Sequence, residues 1–234
     1  MRAIYLKGLE VSDEDSFWIE SESHHHLSRV VRLKIGEEFL CLVGEGKVYR
    51  CEAIEFKRSK THALKKSEYQ LKDKRNITLF LAPPKKQAFE ELLKTSCEAG
   101  VKEIVVFPSQ YSQEFSSESS RFEKIIQASM VQSNNPFELK VKILNRFEDA
   151  LILMEKIQNC YYLSPYHQDE YHISQNSKEV GLIIGPEGGF SAEEESCFGQ
   201  SHVKAIQLGQ FILRTPTAVA LGLGWCAAHF HQRN

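Results

Sequence analysis

The sequence predicts a small antiparallel β domain followed by an α/β domain with a parallel sheet. Three observations support this fold class. The first seventy-odd residues contain strands of period two, later apolar runs alternate with helical periods, and one of these runs ends in a Gly-rich loop. The pattern changes near residue 72 of the 234, which predicts domains over 1–72 and 73–234.

In the N-terminal domain, residues 48–56 alternate apolar and polar side chains, as a half-buried strand does. Gly44 and Gly46 lie between two strand-like runs and predict a hairpin turn. Residues 25–33 predict a short helix that ends near Gly36. The adjacent histidines 24–26 fit a turn or a helix entry better than zinc ligation, because no further Cys or His follows at ligand spacing. No metal site is therefore predicted.

The C-terminal domain alternates apolar runs, typical of buried parallel strands, with segments of helical period. The predicted strands are 77–83, 101–108, 141–144, 159–165, the run ending at Ile184, and 205–208. The predicted helices are the segment closed by Gly100, then 119–130, 147–157, 191–197 and 217–231. Ser191 is the expected N-cap of the fourth helix, with acidic residues in its first turn, where the helix dipole favours negative charge.

Composition bounds the function. The net charge of −2 argues against a globally basic nucleic-acid binder, but residues 55–86 carry ten Lys or Arg against three acids. Such a stretch is either a solvated face or an electrostatic footprint for phosphates. No apolar run reaches the roughly 18 residues of a membrane span, and the acidic N-terminus is unlike a signal peptide. Six Cys without a CxxC pair indicate reduced thiols and a cytoplasmic protein.

Residues 184–191, IGPEGGFS, form the first motif with chemical content. An apolar strand stops, a Gly/Pro turn follows and a helix begins, at the carboxyl end of a strand where α/β sheets bind ligands. The loop can present backbone N–H groups to a cofactor, or it is a tight turn without a ligand. It matches neither the dinucleotide signature nor the P-loop signature.

Residues 208–218, LGQFILRTPTA, form the second motif. Arg214 precedes two helix-entry residues, Thr215 and Thr217. Its guanidinium can fork onto a phosphate or carboxylate, or it caps neighbouring loop carbonyls.

Together the two loops resemble the SPOUT class of RNA methyltransferases, and within it the RsmE family, which methylates N3 of a uridine in small-subunit (16S) ribosomal RNA. The family pattern is IGPEGGFS followed by LGxxILRxxTA. The segments HHLSRVVRLKIGEEF, LLKTSCEAGVKEIVVFP and IQASMVQSNNP are similar to further family segments. Gln113, Asn134 and Asn135 stand where the family usually has Arg, and Pro216 stands where Glu is common.

The resemblance implies a SPOUT-type parallel sheet with a C-terminal trefoil knot, an N-terminal PUA-like β-barrel that binds RNA, a homodimer packed through the last helix, and S-adenosyl-L-methionine as cofactor. It implies these cofactor-binding residues: Leu163, Ile184, Gly185, Pro186, Gly188, Gly189, Leu208, Gly209, Ile212, Leu213 and Thr217. Leu208 and Ile212 would pack on adenine, with Gly188 and Gly209 leaving room for the ligand. The phosphate contacts would come from Arg2, Arg29, Arg32 and Lys34.

The implied chemistry assigns two catalytic residues. Uridine N3 carries a proton, so a group must accept it or stabilise negative charge on the flanking carbonyl oxygens. Arg214 is assigned the second task and Glu187 the first, unless Glu187 only stabilises its loop. The target base must be unpaired or flipped out.

Two other functions remain possible from the sequence. One is a non-catalytic RNA-binding or ribosome-assembly factor that keeps the fold. The other is a nucleotide-binding metabolic enzyme whose residues 185–190 bind phosphate.

Overall fold

The computed structural model describes residues 2–12, 15–115, 119–166 and 179–230. The chain forms two compact units. The first comprises Met1–Asp73 and Ile126–Glu138, and the second comprises Lys74–Ile125 and Leu139–Asn234.

The first unit is built on a five-stranded sheet in the order β1-β3-β4-β5-β2. Its strands are β1 (Ala3–Tyr5), β2 (Ser16–Glu20), β3 (Glu38–Gly44), β4 (Lys47–Phe56) and β5 (Lys60–Gln70). Strand β1 runs parallel to β3, and the other pairs are antiparallel. The predicted hairpin is confirmed by the pairing of Leu42 in β3 with Val48 in β4. One face of the sheet buries an apolar core that includes Ile4, Ile19 and Phe39.

The helix predicted over 25–33 has other bounds. Helix α1 spans Ser21–His25 and continues into a π-helical turn, His26–Val30, which is fixed by a hydrogen bond from Val31 N–H to the His26 carbonyl (2.9 Å). Two contacts explain this arrangement. His24 is buried with its Nδ1 2.8 Å from Thr61 Oγ1, and Leu27 is fully buried in the core. The histidine therefore packs between α1 and β5.

The second unit contains six parallel strands in the order β11-β9-β10-β6-β7-β8. The strands are β6 (Ile77–Leu81), β7 (Glu103–Val106), β8 (Lys140–Ile143), β9 (Asn159–Leu163), β10 (Val180–Ile184) and β11 (Lys204–Ile206). The helices are α2 (Lys86–Glu98), α3 (Ser119–Ser133, which also contributes to the first unit), α4 (Phe147–Met154), α5 (Ala192–Gln200) and α6 (Thr215–Phe230). In the described part of the chain, no helix has the length and hydropathy needed to cross a membrane.

Strand order positions the site. Strands β11, β9 and β10 are neighbours and run parallel, so their carboxyl ends meet at one edge of the sheet. The segments that follow them are 164–166, 185–191 and 207–214. Both sequence motifs therefore lie at the same edge. Helix α6 follows the third segment and packs on β10 through the buried Val219 and Leu223.

The cysteines provide a test of the packing. Burial raises the pKa of the Cys51, Cys160 and Cys226 thiols to about 12. Cys41 and Cys97 are also buried, and Cys197 on α5 is only half-buried. Because the thiolate is the nucleophile, we expect a thiol-specific reagent at about pH 8 to modify Cys197 in the native protein and all six cysteines in denaturant. Peptide mass mapping measures this, and modification of Cys160 as fast as that of Cys197 would contradict the packing.

Candidate functional site

A cavity of about 220 Å³ lies where the carboxyl ends of β9, β10 and β11 meet. Residues 163–166 form one wall, residues 184–190 with Glu195 form a second, and residues 207–209 and 211–213 with Thr215 and Ala218 form the third. The second and third walls are the two sequence motifs. The cavity thus lies where a parallel sheet presents loops to a ligand.

The GPEGGF loop is held as a tight turn. Gly189 has a φ of +76° and its N–H donates to the Pro186 carbonyl at 3.0 Å. Glycine is favoured at this left-handed position because it lacks a Cβ. The Phe190 ring then packs edge-on against Phe198 of α5, with ring centroids 5.0 Å apart. The loop is therefore fixed at both its turn and its exit.

Helix α5 begins with a capping box. Ser191 N–H donates to Glu194 Oε2 (2.8 Å), and Glu194 N–H donates to Ser191 Oγ (3.3 Å). The buried Glu194 carboxylate accepts two further hydrogen bonds, from Gln110 N–H (2.9 Å) and from Ser109 Oγ (3.2 Å). One side chain therefore ties the segment after β7 to the cavity loop.

Gly188 is a point of close backbone approach. A Cβ on Gly188 would lie 2.9 Å from the Cβ of Tyr111, closer than real Cβ contacts. The missing side chain therefore makes room for Tyr111, and not for a ligand as the sequence predicted. At Gly209 an added Cβ would meet only ordinary contacts, the nearest being Leu213 Cδ2 at 3.8 Å.

Glu187 lines the cavity and also approaches the start of α2. Its Oε1 accepts a long hydrogen bond of 3.5 Å from the N–H of Lys85, the N-cap residue of that helix. A carboxylate is stabilised at this end of a helix by the helix dipole. This contact supports the loop-stabilising interpretation of Glu187.

The other two walls are joined to each other. Ser164 N–H donates to the Ile206 carbonyl (2.9 Å), and Gln207 Nε2 donates to the Pro165 carbonyl (2.9 Å). Beneath them, burial and then the negative charge of Glu195 raise the pKa of the Tyr162 phenol. Tyr162 therefore stays protonated at neutral pH and cannot serve as a base.

Large apolar side chains at the cavity are exposed to solvent. Tyr166 is 80% exposed, Phe211 81% and Ile212 72%, and all three line the cavity. Exposed apolar surface around a concave site is typical of ligand-binding surfaces. The rim offers flat and branched apolar contacts to a ligand ring.

Two family profiles match the chain. The one described as RNA methyltransferase domain matches residues 71–227, well over half of the chain, and the one described as RNA methyltransferase PUA domain matches residues 19–56. The chain belongs to the RNA methyltransferase family. This confirms the predicted SPOUT-type sheet and the predicted PUA-like N-terminal domain, while the trefoil knot stays a prediction.

Relatives of this methyltransferase span nearly its whole length. The Ribosomal RNA small subunit methyltransferase E 2 of Borreliella burgdorferi is 26% identical, with 92% of each chain covered. The Ribosomal RNA small subunit methyltransferase E of Aquifex aeolicus is 28% identical, covering 86% of this chain and 88% of the relative. The crystal structure of a Ribosomal RNA small subunit methyltransferase E from Neisseria gonorrhoeae bound to S-adenosyl methionine superposes with a TM-score of 0.87 at 22% identity, covering 98% of both chains. At that identity the structure shows a shared fold.

The structure brings most of the predicted site residues of the methyltransferase together. The predicted cofactor residues line the cavity with the exception of Thr217, and Glu187 lines it as well. Arg214 and Thr217 are exposed and are not among the lining residues. Thr215 and Ala218 take that place because they are three residues apart on α6 and share one face. Sequence reasoning also missed Glu195 and Phe211, although the helical period alone could have selected Thr215 and Ala218.

The departures from the family pattern have local structural roles. Asn134 has a φ of 55°, in the left-handed region that Asn tolerates, and it follows the end of α3. The Asn135 side-chain oxygen accepts from Phe137 N–H (3.0 Å), which closes a turn. Gln113 N–H donates to the Pro83 carbonyl (3.1 Å).

The predicted phosphate contacts lie on the first unit. Arg29, Arg32 and Lys34 are exposed. Arg2 forms an ion pair with Glu37, whose carboxylate also accepts from the Lys34 backbone N–H (2.8 Å). The bond from Lys34, followed by that from Arg2, lowers the pKa of Glu37. Arg2 therefore shares its charge with an acid.

The basic stretch over 55–86 is not uniform. Lys65 is buried, with its Nζ 2.6 Å from Glu68 Oε2, so it is structural. Lys57 and Lys60 instead place their ammonium groups over the Trp18 ring, 4.7 and 4.1 Å from its centroid. Both interpretations of the stretch are thus represented by different residues.

Proposed function

We propose that the chain transfers a methyl group from S-adenosylmethionine to N3 of a uridine in small-subunit (16S) ribosomal RNA. The observation that carries this proposal is the cavity at the ends of β9, β10 and β11, which is walled by both family motifs. The relatives named for this activity and the neighbour bound to S-adenosyl methionine support it.

The cavity residues fit an adenosyl ligand. The apolar side chains of Leu208 and Ile212 are placed to pack on adenine, and the glycine-rich backbone of 185–189 offers polar groups without side-chain bulk. The bound cofactor would supply an electrophilic methyl group, and the protein would supply orientation and electrostatics. The remaining predicted binding residues include Leu163, Ile184 and Leu213, which line the same cavity. A trefoil knot would hold these loops together.

The chain's own groups must deal with the N3 proton. We assign Arg214 to the flanking carbonyl oxygens, where a guanidinium stabilises negative charge as it develops. Glu187 is the carboxylate nearest the GPEGGF turn and is assigned proton acceptance, in competition with its bond to Lys85. The target base must leave its stack to reach either group.

RNA binding would fall to residues 1–72, and the transfer to residues 73–234. Arg2, Arg29, Arg32 and Lys34 would contact phosphates, where each neutralised charge adds salt-dependent affinity. Ribosomal RNA or the small ribosomal subunit would be the partner, in the cytoplasm.

A comparison of ribosomal RNA with and without this gene tests the function. Mass mapping of small-subunit RNA from a deletion strain should lack one methylated uridine. A plasmid carrying the wild-type gene should restore it. An unaltered uridine profile would remove this target.

The alternative is an RNA-binding assembly factor without transfer. The residues Gln113, Asn134 and Asn135, in place of family arginines, favour it because each is engaged in local backbone structure. It predicts RNA affinity and no incorporation of labelled methyl groups into RNA.

A homodimer is also proposed, through the exposed side of α6. Leu221 is 46% exposed, whereas Val219 and Leu223, predicted for the same interface, are buried against the sheet of their own chain. We expect Leu221→Arg to convert a dimer into a monomer in light scattering, because it places a charge in an apolar interface. Ile152→Arg on the exposed side of α4 is the matched control. A wild-type monomer would contradict the dimer.

A further inference from the structure

Tyr111 is an exposed aromatic residue beside the cavity. Its side chain is 49% exposed in the segment that follows β7. Its Cβ and Cγ pack on Gly188, since a Cβ added there would lie 2.9 and 3.4 Å from them. Gly188 lines the cavity, but Tyr111 does not. The ring therefore lies next to the cofactor loop and outside the space proposed for the cofactor.

The segment that carries Tyr111 is held in place on both sides. Glu194 accepts from Ser109 Oγ and from Gln110 N–H, the two residues before it. Ser112 Oγ accepts from Ser109 N–H (3.1 Å). Gln113 N–H donates to the Pro83 carbonyl (3.1 Å). An exposed ring on a fixed segment is preorganised, so that binding a flat ligand loses little conformational entropy.

Two exposed cations lie near the same loop. Lys85 and Lys86 begin α2, and the backbone N–H of Lys85 contacts Glu187 of the cavity loop. An aromatic ring flanked by cations is the combination that binds single-stranded nucleic acid, through base stacking and phosphate neutralisation.

We propose that Tyr111 is a stacking platform for a nucleobase of the RNA substrate, with Lys85 and Lys86 contacting the adjacent phosphates. The inference rests on the proposed function and names the substrate side of that site. The cofactor occupies the cavity on one side of Gly188, and the unstacked RNA strand lies on Tyr111. A protein partner at this surface would not depend on an aromatic ring contacting a base, and it is an outcome of the test.

The experiment uses the full chain, S-adenosylmethionine and an unmodified small-subunit RNA fragment. We expect Tyr111→Ala to weaken RNA affinity and kcat/KM for RNA by roughly 5–100-fold, as loss of one base–aromatic stack does. Tyr111→Phe and Tyr111→Trp should stay within about threefold of wild type because they keep a ring. The affinity for S-adenosylmethionine, measured by calorimetry, should be unchanged in all three variants.

Two further readouts separate the possible outcomes. The double variant Lys85→Ala, Lys86→Ala should reduce the salt dependence of RNA binding by between one and two charges' worth, about 0.7 per charge. Ile152→Ala on α4 is the control that should change nothing. Wild-type RNA affinity in Tyr111→Ala overturns the platform, and equal losses in the Ala and Phe variants point to a hydroxyl or protein contact and overturn it too. Absence of methyl transfer by the wild-type chain removes the proposed function instead, and RNA binding by the variants still tests Tyr111.

Discussion

Replacing Arg214 by alanine is expected to lower kcat for methyl transfer by roughly 10²–10³-fold, the usual cost of removing one group that stabilises developing charge. Arg214 is exposed and does not line the cavity, so the affinity for S-adenosylmethionine should change little. Single-turnover methylation measures the rate, and calorimetry measures the affinity.

Two variants control for charge and position. Arg214→Lys keeps the charge but loses the planar fork, so its rate should fall between those of wild type and alanine. Lys204→Ala removes an exposed cation from β11 and should leave kcat unchanged. A kcat in Arg214→Ala within about threefold of wild type would fall outside the range set by lost charge stabilisation and would remove Arg214 from the reaction.

Replacing Glu194 by alanine should cause the largest loss of stability. Its buried carboxylate accepts from Ser191 N–H, Gln110 N–H and Ser109 Oγ, and truncation leaves these donors without it. Unsatisfied partners of a charged group cost roughly 2–4 kcal/mol in the free energy of unfolding. For a chain of this length, this corresponds to a fall in Tm of roughly 4–16 °C.

The neighbouring Glu193 provides the matched control for Glu194. Glu193 is exposed in the same first turn of α5, so Glu193→Ala removes an equal charge at the helix N-terminus without breaking the three bonds. Its Tm should fall by no more than about 2 °C. Equal melting temperatures for the two variants would show that the Glu194 hydrogen bonds do not stabilise the fold.

The parallel sheet was predictable because local sequence period determines it. Continuous apolar runs such as 77–83 and helical periods closed by Gly100 indicate alternating strands and helices, and the structure has them. The Ser191 N-cap was predictable for the same reason, since its partner Glu194 is three residues away. The capping side chain and the acidic first turn are short-range signals.

The long-range contacts at the site were not predictable. Glu194 binds Gln110 across 84 residues, and Gly188 packs on Tyr111, so neither contact leaves a periodic trace in the sequence. The glycine was noticed, but its neighbour was not. The π-helical turn after α1 was missed because burial of His24 and Leu27 determines it, and helical propensity does not.

Calorimetric titration of the purified chain with S-adenosylmethionine and with its demethylated product tests the central claim most directly. The loops after β9, β10 and β11 should give saturable heat with both ligands, at one molecule per chain, and none with ATP or NAD. Absence of heat from both adenosyl ligands, or equal heat from ATP, would contradict a methyl-donor site at this edge of the sheet.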